Sequence, residues 1–409
     1  MTDVRASSSA YHIKTISAVQ HSNMPQILVL HASLGTGHTS AANALSEAYQ
    51  RFPDVQVRAI DILNFTNDIT RAALQTFYSQ VSEKAPALYK ILYEGTESDK
   101  PDELLGSEKL LSIVGPPFFN DLQKLIKGTT PDIIVSTHAL AVQVVHHLVQ
   151  RGEYPGLHYV VITDFVAHRT WMAEGVDAYF CPSDLTREIL ADRGVPREKM
   201  FVTGIPVKLE IGEPKAMREM RAKHFLPDAI PIITLFGGGI SAERVRRMVT
   251  RLIASKQQFE LVVVAGRNQE LEKELEDLTS GEKVRLQKLG KIDFVDDLVA
   301  ASDLVVTKAG GLIVSEVLAR STPMIIIDPI PGQEEWNADF VAGAGAAIQL
   351  RMPEMVPAAV DFLLKQKSRL NDMGIQARLI GHPHAALDIV EHTLDDWQKS
   401  LAGHLAANA

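Results

Sequence analysis

The chain has 409 residues, 46% of them hydrophobic and 22% charged, an ordinary balance for a globular protein. That length exceeds the roughly 250–300 residues at which a single core stops growing, so two domains are expected. A net charge of −9 argues against nucleic acid as a partner. The single Cys181 excludes an internal disulfide and fits a reducing cytosol.

Residues 1–23 are polar and Ser-rich without an apolar signal stretch, and residues 1–25 read as a mobile tail. From Gln26 the pattern is strand, turn, helix. Residues 27–32 form a short apolar run, Ser33-Leu34-Gly35-Thr36-Gly37-His38 breaks it, and residues 41–49 have helical spacing. Residues 55–60 read as the next strand and 62–127 as mostly helical. Residues 133–136, 159–163 and 178–181 read as buried strands. A second set begins after Gly204-Ile205-Pro206, with strands expected at 232–236, 261–265, 284–289, 304–307 and 324–327. Helical spacing fills the gaps at 242–255, 271–278 and 295–301. Alternating strands and helices imply an α/β chain of two doubly wound, mainly parallel sheets, hinged near 204–208. Such sheets bind ligands beyond the carboxyl ends of their strands, where the glycine turns fall in both halves. The cleft between the halves is therefore the expected active site.

The densest motif is Thr307-Lys308-Ala309-Gly310-Gly311 followed by Ser315 and Glu316. A buried strand runs into glycines and then into a helix start. The glycines let backbone approach a ligand closely, and the helix start suits a phosphate. Glu316 stands where a carboxylate takes two hydroxyls of a ribose. Gly237, Gly238 and Gly239 open a helix poorly but suit close approach to a diphosphate. Gly266 and Arg267 follow the next strand, where Arg267 either reaches a phosphate or base or is simply solvated. Gln333, Glu334 and Asn337, after Pro331-Gly332, carry groups that suit sugar hydroxyls.

In the first half, Gly35-Thr36-Gly37-His38 is either a plain strand-to-helix turn or the carrier of a base. The helix dipole disfavours a protonated imidazole there, which keeps His38 neutral, as a general base must be. No Lys follows these glycines, against a Walker-type loop. Asp164 and His168 could orient a substrate hydroxyl, and a strand-end Asp equally caps the next segment. His138, also at a strand end, fits a structural role more readily than a catalytic one. No His/Cys cluster has metal-ligand spacing and no Asp-x-Asp motif is present. Charge on a departing diphosphate would then fall to backbone N–H groups, a helix dipole and Lys or Arg, with no cofactor or metal expected.

These residues, in this order, resemble the monogalactosyldiacylglycerol synthase and processive diacylglycerol glucosyltransferase family, a relative of the glycosyltransferase that makes lipid II. The resemblance runs from about residue 26 to about 390. It rests on residues 35–38 with Ser40-Ala41, Thr163-Asp164-Phe165, His168 and Trp171, then on residues 237–239, Lys308-Ala309-Gly310-Gly311, Ser315-Glu316 and Pro331-Gly332-Gln333-Glu334. It implies a GT-B fold, a UDP-sugar donor and inversion at the anomeric carbon without a metal. It implies a donor site of Gly238, Gly239, Lys308, Gly310, Gly311, Ser315, Glu316, Gln333, Glu334 and Asn337, to which the strand-end reading adds Gly266 and Arg267. His38 falls at the family's presumed base, and Gly37, His138, Asp164, His168 and Trp171 form the expected acceptor side. The first turn departs from the family's usual Gly-Gly-Gly-His by Thr36. Residues 26–205 are expected to face the acceptor and 206–384 the donor, with a final helix, about 385–409, crossing back to the first domain.

The resemblance implies UDP-galactose or UDP-glucose and diacylglycerol as partners, and a cytoplasmic enzyme held peripherally at the inner face of the cell membrane. No apolar run reaches the ~18 residues of a spanning helix. Residues 65–119 carry Phe65, Phe77, Tyr78, Tyr89, Tyr93, Phe118 and Phe119, which suit either interfacial anchoring or an ordinary core. Two other readings stay open. One is a transferase using another lipid or a soluble acceptor. The other is a UDP-sugar-sensing regulator, which would need the donor cleft but no His38.

Overall fold

The computed structural model describes residues 24–72, 74, 76, 116–327 and 329–408. The first half runs β1 (Gln26–His31), α1 (Gly37–Tyr49), β2 (Gln56–Asp61), α2 (Asn120–Thr129), β3 (Ile133–Ser136), α3 (Ala139–Gln150), β4 (Leu157–Val161), β5 (Ala178–Cys181), α4 (Asp184–Asp192) and β6 (Met200–Val202). The second runs α5 (Met217–Lys223), β7 (Ile232–Phe236), α6 (Ala242–Ile253), β8 (Phe259–Val264), α7 (Gln269–Leu275), β9 (Val284–Leu289), α8 (Val295–Ala301), β10 (Leu304–Thr307), α9 (Gly311–Ala319), β11 (Met324–Ile327), α10 (Gln333–Gly343), β12 (Ala347–Leu350), α11 (Val356–Lys365) and α12 (Lys367–Ile380). Helix α13 (Ala385–Asn408) follows.

The strands form two six-stranded sheets, ordered β2-β1-β3-β4-β5-β6 and β12-β11-β10-β7-β8-β9. Described neighbours are parallel, in registers such as Ile27↔Ile133 and Val305↔Thr234. Helices cover both faces, so the central strands are almost wholly buried and their sequences are mainly apolar, with Ser136, Thr234 and Thr307 as buried polar members. Each sheet has a point where strand order reverses, between β1 and β3 in the first and between β7 and β10 in the second. A crevice opens there beyond the strands' carboxyl ends. The two reversal points carry the turns before α1 and α9, the motifs singled out above.

The expected strand at 159–163 lies two residues earlier, at Leu157–Val161, which leaves Thr163 and Asp164 in the turn beyond it. Edge strands β6 and β12 were not expected from the sequence. The segment after β2 begins with a 3-10 turn over Ile62–Phe65, and another over Pro116–Phe119 precedes α2. Of its aromatics, Phe119 is fully buried and Phe65 packs against the same cluster, while Phe118 is exposed. Those two belong to the core instead of an anchoring surface. Phe77, Tyr78, Tyr89 and Tyr93 lie outside the described residues, as do residues 1–23 of the expected tail.

Helix α13 returns to the first sheet. Its Ala386, Ile389, Val390 and Leu394 join the cluster formed by α1 and strands β1, β3, β4 and β5. Burying each of the larger side chains stabilises the contact by roughly 1.5–3 kcal/mol. The Tyr49 and Thr393 hydroxyls meet at 2.6 Å, and the Tyr159 hydroxyl donates to Asp396 at 2.8 Å. The two chain crossings between the halves touch each other. Gly204, at φ +85°, packs so closely on His382 that any side chain there would collide with it. No described helix is long and apolar enough to cross a membrane.

Candidate active site

His38 is the second residue of α1. Its Nδ1 lies 2.9 Å from the Thr137 carbonyl oxygen and 2.8 Å from the Thr163 hydroxyl. A carbonyl oxygen only accepts, so Nδ1 carries the hydrogen and Nε2 keeps its lone pair. The ring meets His138 edge-on at 4.5 Å and stands 6.3 Å from Trp171. Burial pulls its pKa down to about 4, with the Thr137 carbonyl pulling the other way. The expected neutral imidazole is thus present, and burial is the leading cause in place of the helix dipole.

His138 caps α3. Its Nδ1 accepts the Leu140 N–H at 3.1 Å, so its hydrogen sits on Nε2. Burial, then His38 and His31, hold its pKa well below the ordinary value. His31 itself is buried, with its Nδ1 3.3 Å from the Thr39 hydroxyl. Asp61 accepts the N–H groups of Ser33 and Leu63 at 3.2 and 3.0 Å, which ties the β1 turn to the end of β2. The sequence reading passed over His31, Asp61 and Thr137. Only their place at strand ends, beside a reversal point it had not located, could have signalled them.

Asp164, His168 and Trp171, also expected on the acceptor side, sit deeper than a substrate surface would. Asp164 is 4% exposed, and one of its oxygens accepts from the Gln333 amide of the second half. Burial raises its pKa to about 6, against hydrogen bonds from Gln333 and Asn337. His168 is buried and caps the 3-10 turn Arg169–Trp171, its Nδ1 accepting from Thr170 N–H at 3.2 Å. Its ring stacks near Trp336 at 6.4 Å. Trp171 is 3% exposed. Gly37 faces Leu312, so the starts of α1 and α9 oppose each other.

In the second half, Gly238 and Gly239 are exposed at the end of β7, and Gly266 and the exposed Arg267 lie at the end of β8. Lys308 crosses between turns. Its Nζ donates to the Gly239 carbonyl at 3.2 Å and lies 3.5 Å from Glu334, which also accepts the Ile330 N–H at 2.8 Å. Gly310 is the N-cap of α9 and Gly311 its first residue. Burial raises the Glu316 pKa to about 7, with Lys208 opposing and Asp296 and Glu210 adding to it.

Three residues expected to face the donor are engaged otherwise here. Ser315 is buried and donates to the Gly311 carbonyl at 2.8 Å within its own helix. Asn337 is 1% exposed; its Nδ2 donates to the Ala309 carbonyl at 3.1 Å and its oxygen accepts the Phe165 N–H at 2.8 Å. Its amide therefore joins the halves. Gly311 packs directly on the Thr163 carbonyl, where any side chain would collide. Its lack of a side chain serves contact between the halves as well as any ligand. Among the described residues, no three His, Cys, Asp or Glu side chains are grouped to hold a metal ion.

The geometry can then be set beside known proteins. Residues 38–207 match the family model of monogalactosyldiacylglycerol (MGDG) synthase, and residues 232–389 that of the glycosyltransferase family 28 C-terminal domain. A processive diacylglycerol beta-glucosyltransferase of Bacillus licheniformis is 28% identical over 348 residues, covering 85% of this chain and 88% of the relative. One of Bacillus cereus strain B4264 is 28% identical over 374 residues, covering 90% and 93%. Among solved structures, Acinetobacter baumannii MurG aligns with a TM-score of 0.59 at 18% identity over 90% of this chain and 98% of its own. UDP-bound MnaA of S. aureus aligns with 0.59 at 14% identity over 90% and 96%. At such identities the solved structures speak for the fold, GT-B, alone.

Proposed function

We propose, from the premise that this chain belongs to the monogalactosyldiacylglycerol synthase family of glycosyltransferases, that it transfers a hexose from a UDP-sugar to the free hydroxyl of diacylglycerol, with inversion. The observation that carries the reading is the commitment of His38 Nδ1 to the Thr137 carbonyl. It leaves Nε2 as an unprotonated base at a sheet's reversal point, where the start of α1 faces the start of α9.

The diacylglycerol hydroxyl gives its proton to His38 Nε2 as its oxygen attacks the anomeric carbon. The bond from that carbon to the diphosphate oxygen breaks on the opposite face, and UDP leaves with the bonding electrons. Backbone N–H groups at Gly238, Gly239, Gly310 and Gly311, the positive end of α9, Lys308 and Arg267 meet the charge that develops. No metal or cofactor enters the step. Glu316 takes the ribose hydroxyls, while Gln333 and Glu334 take the sugar. Gly37, His138, Asp164, His168 and Trp171 shape the acceptor side. Asp164 and Gln333 release one another when the sugar arrives, and Asn337 and Ser315 hold the donor turns.

Residues 26–205 with the final helix then form the acceptor half, and 206–384 the donor half. The acceptor is a lipid, so the enzyme works at a membrane surface, on the cytoplasmic side where UDP-sugars are at hand. The relatives' names make UDP-glucose the first donor to test and UDP-galactose the second. The deciding experiment supplies purified protein with diacylglycerol vesicles and each donor separately, and reads the lipids by mass spectrometry. The reading expects a hexosyl-diacylglycerol. Clear UDP binding with no product from either donor overturns it in favour of another acceptor or a sensor.

A further inference from the structure

We infer that Thr163 is a positioning residue for His38, and that residues 163–165 make the base's orientation depend on how the second half is seated. The inference deepens the reading of His38 as a base and rests on it.

The Thr137 carbonyl fixes the hydrogen of His38 on Nδ1, so Nδ1 has no lone pair to offer the Thr163 hydroxyl 2.8 Å away. That hydroxyl must accept, sharing the same N–H with the carbonyl. One acceptor leaves a ring free to swing about its hydrogen bond. Two acceptors, one from the end of β3 and one from beyond β4, fix the ring's plane and so the direction of the Nε2 lone pair. Thr163 is 5% exposed, and His38 is the single hydrogen-bond contact of its hydroxyl among the described residues.

The neighbours of Thr163 belong to the other half's reach. Its carbonyl packs on Gly311 at the start of α9. Asp164 accepts from Gln333, and the Phe165 N–H donates to Asn337 at 2.8 Å. The Phe165 ring stacks on Phe340 with centroids 5.0 Å apart and planes 11° from parallel. Gln333, Asn337 and Phe340 all lie on α10. A shift of α10 or of the α9 start therefore moves the backbone that carries the Thr163 hydroxyl. The base is aimed when the halves are in contact and loses one of its two acceptors when they part.

The test uses the full chain with 15N-labelled histidine and variants Thr163→Val and Thr163→Ser. Long-range proton–nitrogen spectra report which imidazole nitrogen of His38 carries hydrogen, with His38→Ala assigning the signal. The wild type should show hydrogen on Nδ1. Thr163→Val should keep the hydrogen on Nδ1, which the Thr137 carbonyl still holds, but shift the His38 ring signals through the lost second acceptor and lower kcat on the order of 10²-fold, as misaimed groups do, with the KM for the donor unchanged. Thr163→Ser, which restores the hydroxyl, should recover both. Hydrogen on Nε2 in the wild type overturns the inference, and so does Thr163→Val with wild-type spectra and kcat. A Ser variant as impaired as the Val variant also overturns it, since packing would then be what matters. Full activity of His38→Ala would instead sink the base reading, a different failure from any of these.

Discussion

The turns before α1 and α9 are the same piece of architecture with opposite chemistry. Each follows a central strand, each sits where its sheet reverses order, and each opens a helix aimed at the other half. The first turn is built of neutral groups. His38, His138 and His31 all have pKa values lowered chiefly by burial, and a carbonyl acceptor and a backbone N–H donor assign the nitrogens of His38 and His138. The second turn keeps its charges. Lys308 spans to Gly239 and the Glu334 carboxylate, while Glu316, a turn into the helix, has its pKa raised to about 7 by burial. Shared geometry thus provides two equivalent mouths, and in the proposed reaction the side chains at the strand ends decide that one removes a proton while the other receives charge.

Breaking the first turn should cost most. His38→Ala is expected to lower transfer about 10²–10⁴-fold, the usual worth of a positioned base, while UDP affinity measured by calorimetry stays unchanged. Transfer at the wild-type rate would take the base away from His38. Breaking the second turn at Lys308 should cost somewhat less. Lys308→Ala removes one of several groups on the leaving diphosphate and should lower kcat about 10²-fold, the scale of a lost preorganised donor. An unchanged kcat with a raised donor KM would mean that Lys308 binds substrate without favouring the transition state.

The pH profile sharpens the contrast without a mutation. A base with a pKa of about 4 is already neutral across the range where an ordinary histidine, near 6.5, would be gaining its proton. At saturating donor, kcat/KM for the acceptor should carry no His38 step between pH 7 and pH 5, where Asp164 at about 6 is the acceptor-side group that titrates, and should show the loss of the base only toward pH 4. A fall centred near 6.5 that persists in Asp164→Asn would mean that burial does not govern this ring in the working enzyme.

The parts that were readable from sequence share one property: their signal is local. Buried parallel strands such as β3, β7 and β10 are mainly apolar runs, and a strand–glycine–helix turn lies within ten residues, so both stood out. Strands β6 and β12 did not. They are edge strands of three and four residues with partly exposed side chains, so neither continuous burial nor clean alternation marks them. The donor turns and His38 were found for the same local reason. What holds His38 was not, because Thr137 and Thr163 lie 99 and 125 residues away. Polarity and the family resemblance mark Gln333 and Asn337 as ligand groups, and leave Asp164 as either a ligand group or a strand-end cap. The contacts of Gln333 with Asp164 and of Asn337 with the Phe165 N–H, spanning 169 and 172 residues, exist only once the two halves meet. Polarity at a strand end shows that a group needs a partner, and only the fold says whether the partner is a substrate or the other half of the protein.

The smallest predicted effect concerns Glu316, the acidic counterpart of these histidines. Burial raises its pKa to about 7, so near neutral pH the free enzyme holds it partly protonated. An ionised carboxylate is an acceptor only, and a ribose offering two hydroxyl donors favours that form. UDP binding should therefore pull the Glu316 pKa down and release a fraction of a proton at pH 7. By linkage, affinity should be level above about pH 7 and weaken as pH falls below it, by at most about tenfold per pH unit. Calorimetry in two buffers of different ionisation enthalpy measures the proton count directly. The diphosphate itself titrates nearby, so the informative quantity is the difference between wild type and Glu316→Gln, in which that diphosphate contribution cancels. The variant should release less proton and lose part of the pH dependence. Equal proton release in both would remove Glu316 from the ribose. Proton uptake specific to the wild type would show instead that the protonated carboxyl meets UDP, donating where the ionised form would accept.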